Sequence, residues 1–346
     1  MKLRRFILLL MFGSFLLNSC SEEDDPIIPE PETGAYSEGL FVLNEGAQAA
    51  GTVTYISNDL EVVENEIYQA TNDDDLGTFL QSMFFNDDNA YIISNGSNLI
   101  TVVDRNTFEV VGKVDSDLVV PYYAAVTGGK AYVTNINSFD TSADDFVAVV
   151  DLETLEVTHT INLNTAASNI LEDDGFVYVQ NSSFGTGNTI TVINTATNAI
   201  VETIEVNDGL TDMDIENAYL YVLSSGSFET VDLTTGEVVS ELIFSDEIQG
   251  FSKLDVEEGT AYLTLDNAVY SMQVGATEGP VEPIIEYSSN SQWGKMYGFE
   301  VENDRIYIGD AGDFSSNGFI QVYNVSGDLL EQIAVGVAPN GFYFNK

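Results

Sequence analysis

Histidine, cysteine and basic residues are nearly absent from this sequence, and each scarcity removes a class of function. The 346 residues include one cysteine, one histidine and one tryptophan, and 10 Lys+Arg stand against 56 Asp+Glu, a formal net charge of −46 at pH 7. With Cys20 and His159 as the only residues of their kinds, the chain can form no internal disulfide and no zinc site of the ordinary type. His159 lies in Val157-Thr158-His159-Thr160-Ile161, an outer-strand run far from any candidate nucleophile, so Ser–His and Cys–His catalysis are not expected. GxSxG, P-loop and dinucleotide fingerprints are missing, and Gly185-Thr186-Gly187 reads as a turn between strands. So acidic a chain repels nucleic acid and anionic lipid surfaces. The one long apolar run, 6–17, falls short of the ~20 residues that a spanning helix needs.

That run has a meaning of its own. Lys2, Arg4 and Arg5 precede it and Leu17-Asn18-Ser19-Cys20 ends it, which is the layout of a charged n-region, a short h-region and a lipobox. Residues 1–19 are therefore read as a lipoprotein signal peptide and Cys20 as the acylated first residue of the mature chain. Residues 20–37, with Ser21-Glu22-Glu23-Asp24-Asp25 and the proline-rich stretch 26–31, read as a tether too charged to pack. Membrane contact is expected only through the lipid. Without residues 1–19 the chain keeps 7 Lys+Arg against 56 Asp+Glu, formally −49. Residues 38–346 form the body, long enough to bury a large core without disulfides.

The body repeats. An aromatic in the middle of a short apolar strand recurs as Phe41, Tyr91, Tyr132, Tyr178, Tyr221, Tyr262 and Tyr307, at spacings of 50, 41, 46, 43, 41 and 45 residues. This period fits one four-stranded propeller blade per repeat. In one repeat the strands are expected at 81–85, 91–94, 100–104 and 110–114, and in the next at 122–126, 132–134, 147–151 and 157–163. Val, Ile, Thr and Tyr dominate these runs, and no long stretch has a 3.6-residue period, so the class is all-β. The first repeat enters at Leu40-Phe41-Val42 without an inner strand, while residues 339–344 form an orphan strand at the other end. A seven-bladed β-propeller, its ring closed by the C-terminal strand joining the first blade, satisfies both ends and buries edges that would otherwise be prone to aggregate.

In such a ring the loops between blades open around a central channel, and ligand chemistry belongs there. Positions ten and nine residues before each blade's aromatic mark the mouth: Gln81 and Ser82, Tyr122 and Tyr123, Ser168 and Asn169, Thr211 and Asp212, Ser252 and Lys253, Tyr297 and Gly298, with Asn340 and Gly341 from the C-terminus. Positions eight and six residues before it, such as Met83 and Phe85 or Met213 and Ile215, are mostly apolar and read as core between blades. Amides, hydroxyls and tyrosines suit a neutral polar ligand. Asn135 joins the candidate set, and long loops add Phe139, Phe184, Trp293 and Phe314, rings that either grip a ligand or staple loops to the body. Trp293 with Lys295 and Tyr297 is the expected centre of binding.

Carboxylates are too numerous for pair spacing to single out a catalytic couple, so a binding module is expected and not an enzyme; a carboxylate-based lyase or hydrolase is the enzyme class left open. No cofactor is expected. Asp73-Asp74-Asp75 and the set Asp208, Asp212, Asp214 offer oxygen ligands to a structural Ca²⁺, without the DxDxDG spacing, and the alternative is a solvated acidic loop.

Trp293-Gly294-Lys295-Met296-Tyr297-Gly298, Ile306-Tyr307-Ile308-Gly309-Asp310-Ala311, Asn317-Gly318 and the GVAPNG of 336–341 carry a family resemblance, together with Leu43-Asn44-Glu45-Gly46, Leu76-Gly77 and Gln81-Ser82. Over 38–346 the chain resembles the DUF5074 or YncE-like group of surface β-propellers, related to YVTN repeat proteins. The acidic run after Cys20 also resembles the surface-export signal of Bacteroidota lipoproteins, which implies an outer-membrane location facing the exterior; a periplasm-facing lipoprotein is the alternative. Some members of the wider group resemble lipoproteins that sit over TonB-dependent transporters, including cobalamin-capturing propellers. By that resemblance the chain is a monomeric capture protein for a small polar ligand, such as a corrinoid, a siderophore-like compound or a glycan, with a TonB-dependent transporter as partner. A scaffold or adhesion propeller with a protein partner is the other reading. Where relatives often carry Pro-Arg at the start of an inner strand, this chain has Pro121-Tyr122, so a ligand contact by arginine is not inherited there.

Overall fold

The computed structural model describes residues 34–183 and 185–346. Seven antiparallel sheets of four strands each stand in a ring, and the inner strand of every sheet packs against the inner strand of the next. In chain order the inner strands are Leu80–Asn86 of blade 2, Pro121–Thr127 of blade 3, Ile170–Asp173 of blade 4, Leu210–Glu216 of blade 5, Leu254–Glu257 of blade 6 and Gly298–Glu302 of blade 7. Blade 1 takes its inner strand from the C-terminus: Pro339–Asn345 pairs antiparallel with Gly39–Asn44, Phe41 opposite Tyr343 and Gly39 opposite Asn345. The expected closure is the observed one. The strands expected at 81–85, 91–94, 100–104 and 110–114 are Leu80–Asn86, Asn89–Ser94, Leu99–Asp104 and Val110–Val114.

Both faces of each sheet are covered, so the second and third strands are buried at most positions. Side chains alternate across the sheet. In blade 2, Ala90 and Ile92 join Phe41 and Leu43 of blade 1, while Tyr91 and Ile93 join Ala131, Val133 and Ala148 of blade 3. The seven periodic aromatics are all buried between blades, as are Met83 and Met213, and Phe85 and Ile215 are partly buried beside them. The outer strands face solvent on most positions and end each sheet.

The Asp or Asn that ends many third strands builds a turn. Asp104, Asp151 and Asn194 each accept two backbone N–H groups with one side-chain oxygen, from the residues two and three positions on. That bond holds the tight turn into the outer strand. A register shift follows just inside it in blades 2, 3, 4, 5 and 7, for instance between Val102 and Val103 and between Val149 and Val150. Such bulges increase the twist that lets flat sheets become blades. Blade 1 departs from the all-strand expectation with a short helix, Ile67–Asn72, whose Ile67 and Tyr68 are buried.

Glycines in blade 7 admit the closing strand. A Cβ on Gly309 would meet the Pro339 carbonyl oxygen at 2.6 Å, and one on Gly318 would meet Pro339 Cδ at 2.6 Å. At its far end the closing strand is latched by Asn345, whose Nδ2 donates to the Arg105 carbonyl at 3.0 Å and whose Oδ1 accepts from the Arg105 guanidinium. Arg105 in turn lies over the Phe85 ring, 4.7 Å from its centroid.

Candidate functional site

Each inner strand bonds to its own sheet along one edge only, which leaves the N–H groups of the other edge facing the neighbouring blade near the axis. Unpaired, these groups would be costly. Acids at alternate positions on blades 5 and 6 satisfy those of the next blade, Asp212, Asp214 and Glu216, then Asp255 and Glu257, and blade 7 carries Glu300 and Glu302 at the corresponding positions. Asp212 accepts Leu254 N–H at 3.0 Å, Asp214 accepts Val256 N–H at 2.7 Å and Glu216 accepts Gly259 N–H at 3.0 Å. One blade on, Asp255 accepts Val301 N–H at 2.8 Å and Glu257 accepts Asn303 N–H at 2.7 Å. Between other blades neutral side chains bond the carbonyls instead: Ser82 Oγ donates to the Tyr122 carbonyl at 2.6 Å, Gln180 Nε2 to the Thr211 carbonyl at 3.0 Å and Asn340 Nδ2 to the Leu80 carbonyl at 2.8 Å.

These strands enclose a cavity of about 520 Å³ on the axis. Its wall is acidic on the side of blades 5 to 7, where Asp214, Asp255 and Glu300 stand at one level. The opposite wall carries Tyr123, Tyr343, Asn340 and Phe342. Burial pushes the Asp214 carboxyl up to about 6, against the backbone N–H bonds that favour its charge. Asp255 is raised well above the usual carboxylate range by burial and by repulsion from Asp214, and Glu300 by burial and by repulsion from Asp255 and Asp214. Burial pushes the Lys253 ammonium down while Asp212 and Glu300 hold it up. Tyr123 rises to about 12, chiefly through burial.

Of the residues expected to bind, Tyr123, Asn169, Asp212 and Asn340 line this cavity. Gln81 supports them by donating to Tyr123 Oη at 3.1 Å while accepting from Asn95 at 2.8 Å, and the Tyr122 ring lies 6.1 Å from that of Tyr123. Asn135 is fully buried and serves the backbone, accepting Val119 N–H at 2.9 Å and donating to the Val133 carbonyl at 2.8 Å. Phe139 is 72 % exposed on a loop of blade 3. Phe184, Cys20 and residues 1–33 lie outside the described residues.

Trp293, Lys295 and Tyr297 do not converge. Trp293, 78 % exposed, lines with Phe314 a separate cavity of about 570 Å³ between the loop 288–293 and residues 312–319, a loop and the start of the strand Asn317–Asn324. Lys295 forms an ion pair with Asp266. Tyr297 donates to the Glu45 carboxylate and stands edge-on to Phe314 at 4.9 Å, so its hydroxyl is raised by burial and by that charge. His159 is exposed on the outer strand of blade 3. Asp74 lies 3.7 Å from Lys113, and among the described residues no three His, Cys, Asp or Glu side chains converge as metal ligands.

The residues that the mouth positions did not include are Asp214, Asp255 and Glu300, one turn of the pleat further in. Their signal was present in Thr211-Asp212-Met213-Asp214-Ile215-Glu216, where acids alternate with apolar residues in a strand whose alternate side chains share a face.

The family model described as "Domain of unknown function (DUF5074)" matches residues 38–276. No curated protein matches the chain. Among solved structures, a functionally unknown protein from Desulfotomaculum acetoxidans DSM 771 is 12 % identical over 89 % of this chain and 99 % of its own, with a TM-score of 0.69. A quinonprotein alcohol dehydrogenase-like protein from Bacteroides thetaiotaomicron VPI-5482 is 13 % identical over 90 % of this chain and 79 % of its own, also at 0.69. BamB from Moraxella catarrhalis is 16 % identical over 90 % and 89 %, at 0.55. At these identities the shared property is the propeller fold.

Proposed function

We propose, from the premise that this chain belongs to the DUF5074 family, that it is a binding module which captures a small polar ligand in the mouth of its channel and leaves it chemically unchanged. The axial cavity carries this reading: about 520 Å³, of a size for one small molecule, with a wall of amides, hydroxyls and carboxyls drawn from most of the blades. The sole histidine stands on an outer strand, away from that wall. In this reading Cys20 is lipidated, the body is held outside the outer membrane, and the captured compound, a polar molecule small enough for this cavity, passes to a TonB-dependent transporter.

The test is to isolate the full lipoprotein from membranes and identify by mass spectrometry what co-purifies. A small molecule and a transporter are expected, and Asn169→Ala should lose the small molecule while the fold is kept. Chemical conversion of the bound compound would instead favour a carboxylate-based lyase or hydrolase. A protein partner without any small molecule would favour a scaffold. The scaffold reading draws on exposed aliphatic pairs that recur on the outer strands, Val110 with Val111, Ile200 with Val201, Val238 with Val239 and Leu329 with Leu330.

A further inference from the structure

We infer that the ligand of the channel carries its charge as a protonated amine or a guanidinium; the inference rests on the channel being the binding site. The amides of the wall have spent their donors, and two of them keep a free acceptor. Gln180 Nε2 is used by the Thr211 carbonyl, Asn340 Nδ2 by the Leu80 carbonyl and Asn169 Nδ2 by Asp212 at 3.4 Å. Gln180, 2 % exposed, leaves Oε1 without a partner, and Asn340 leaves Oδ1 without one. Asp255 uses only Oδ2, for Val301 N–H, and neither oxygen of Glu300 accepts a hydrogen bond from the described residues.

The charges are as lopsided as the hydrogen bonds. Lys253 is the one basic residue in the lining, against Asp212, Asp214, Asp255, Glu257 and Glu300, with Glu302 bonded to Lys346 at 2.7 Å. A bare Ca²⁺ needs several oxygens at roughly 2.3–2.6 Å from one point. Among the described residues no three acids converge in that way, because these stand on successive blades. N–H donors spread over several ångströms, as in a guanidinium or a diamine, meet such an arc without drawing it together, and hydrogen bonds between ionised partners are the strong ones.

Calorimetric titration of the full lipoprotein with agmatine, which has a guanidinium at one end and an amine at the other, tests this beside succinate and glucose as anionic and neutral probes. Agmatine is expected to bind one-to-one, a stoichiometry that separates the site from diffuse attraction to the acidic surface, and the other two are expected not to bind. Glu300→Gln should weaken agmatine about ten-fold through loss of a charge-assisted bond. Lys253→Met should strengthen it several-fold by removing the competing cation. No binding of agmatine at millimolar concentration, an unchanged affinity in Glu300→Gln or a weaker one in Lys253→Met would each overturn the inference. If the molecule that co-purifies and is lost in Asn169→Ala proves neutral or anionic, the channel remains the site and only the charge is wrong.

Discussion

A carboxylate that accepts a neighbour's N–H is doing structural work, and the same group buried beside others of its charge is held against its preference. Asp214 does both. Its carboxyl titrates at about 6 in the folded chain, against about 3.9 when unfolded. Between those values the folded state keeps a proton that the unfolded state has released, so this contribution to stability falls as pH rises through the window and is gone above it. Asp255 and Glu300 act in the same direction. The unfolding temperature measured by calorimetry is therefore expected to be higher near pH 5.5 than near pH 7.5, and Asp214→Asn should reduce the difference. Trp293 sits at the opposite extreme. With 78 % of its surface in water, Trp293→Ala should shift stability by no more than about 0.5 kcal/mol in chemical denaturation.

At the scale of elements, the period of the aromatics gave the blades and their order, because every sheet must bury both faces and so repeats the same apolar pattern. Strand ends fell within a residue or two of expectation in blades 2 and 3, where Asx turns mark them. The short helix Ile67–Asn72 gave no such signal, since six residues are too few for a helical period to show. The channel was half legible. Mouth positions were found by counting from the aromatic, but Trp293, Lys295 and Tyr297 were grouped by nearness in sequence, and alternate residues of a loop need share no direction. Asp214, Asp255 and Glu300 were hidden by the abundance of acids until register placed them at one level. The fit of the closing strand into blade 7 gives a further prediction. Gly309→Ala sets a methyl 2.6 Å from the Pro339 carbonyl oxygen and should destabilise the fold by about 1–3 kcal/mol, read from its denaturation midpoint. Deleting residues 336–346 removes the inner strand of blade 1 altogether and should leave a chain without cooperative unfolding.

For the molecule as a whole, charge opposes compactness. With 56 acidic residues against 10 basic ones, self-repulsion acts across the whole body and not only in the channel. Raising salt from about 10 mM to about 150 mM shortens the screening length from roughly 30 to 8 Å. The unfolding temperature should rise accordingly, and a protein held together by surface ion pairs would show the reverse.

The register also orients the body. Gly39, where the chain enters blade 1, lies opposite Asn345, while the mouth residues lie at the other end of the inner strands, near Asn44 and Pro339. Residues 34–38, which lead into blade 1, thus lie at the face away from the mouth.

Pairing the earliest strand with the latest also sets a clock. A ribosome releases Gly39–Asn44 some three hundred residues before Pro339–Asn345, and in the interval that early strand has no inner neighbour. Blades 2 to 7 can assemble as they emerge, yet an unpaired apolar edge waits throughout for its mate, a hazard for sticking to other nascent chains. Until the final seven-residue strand arrives, Leu40, Phe41 and Val42 lack the neighbour that covers them in the closed ring.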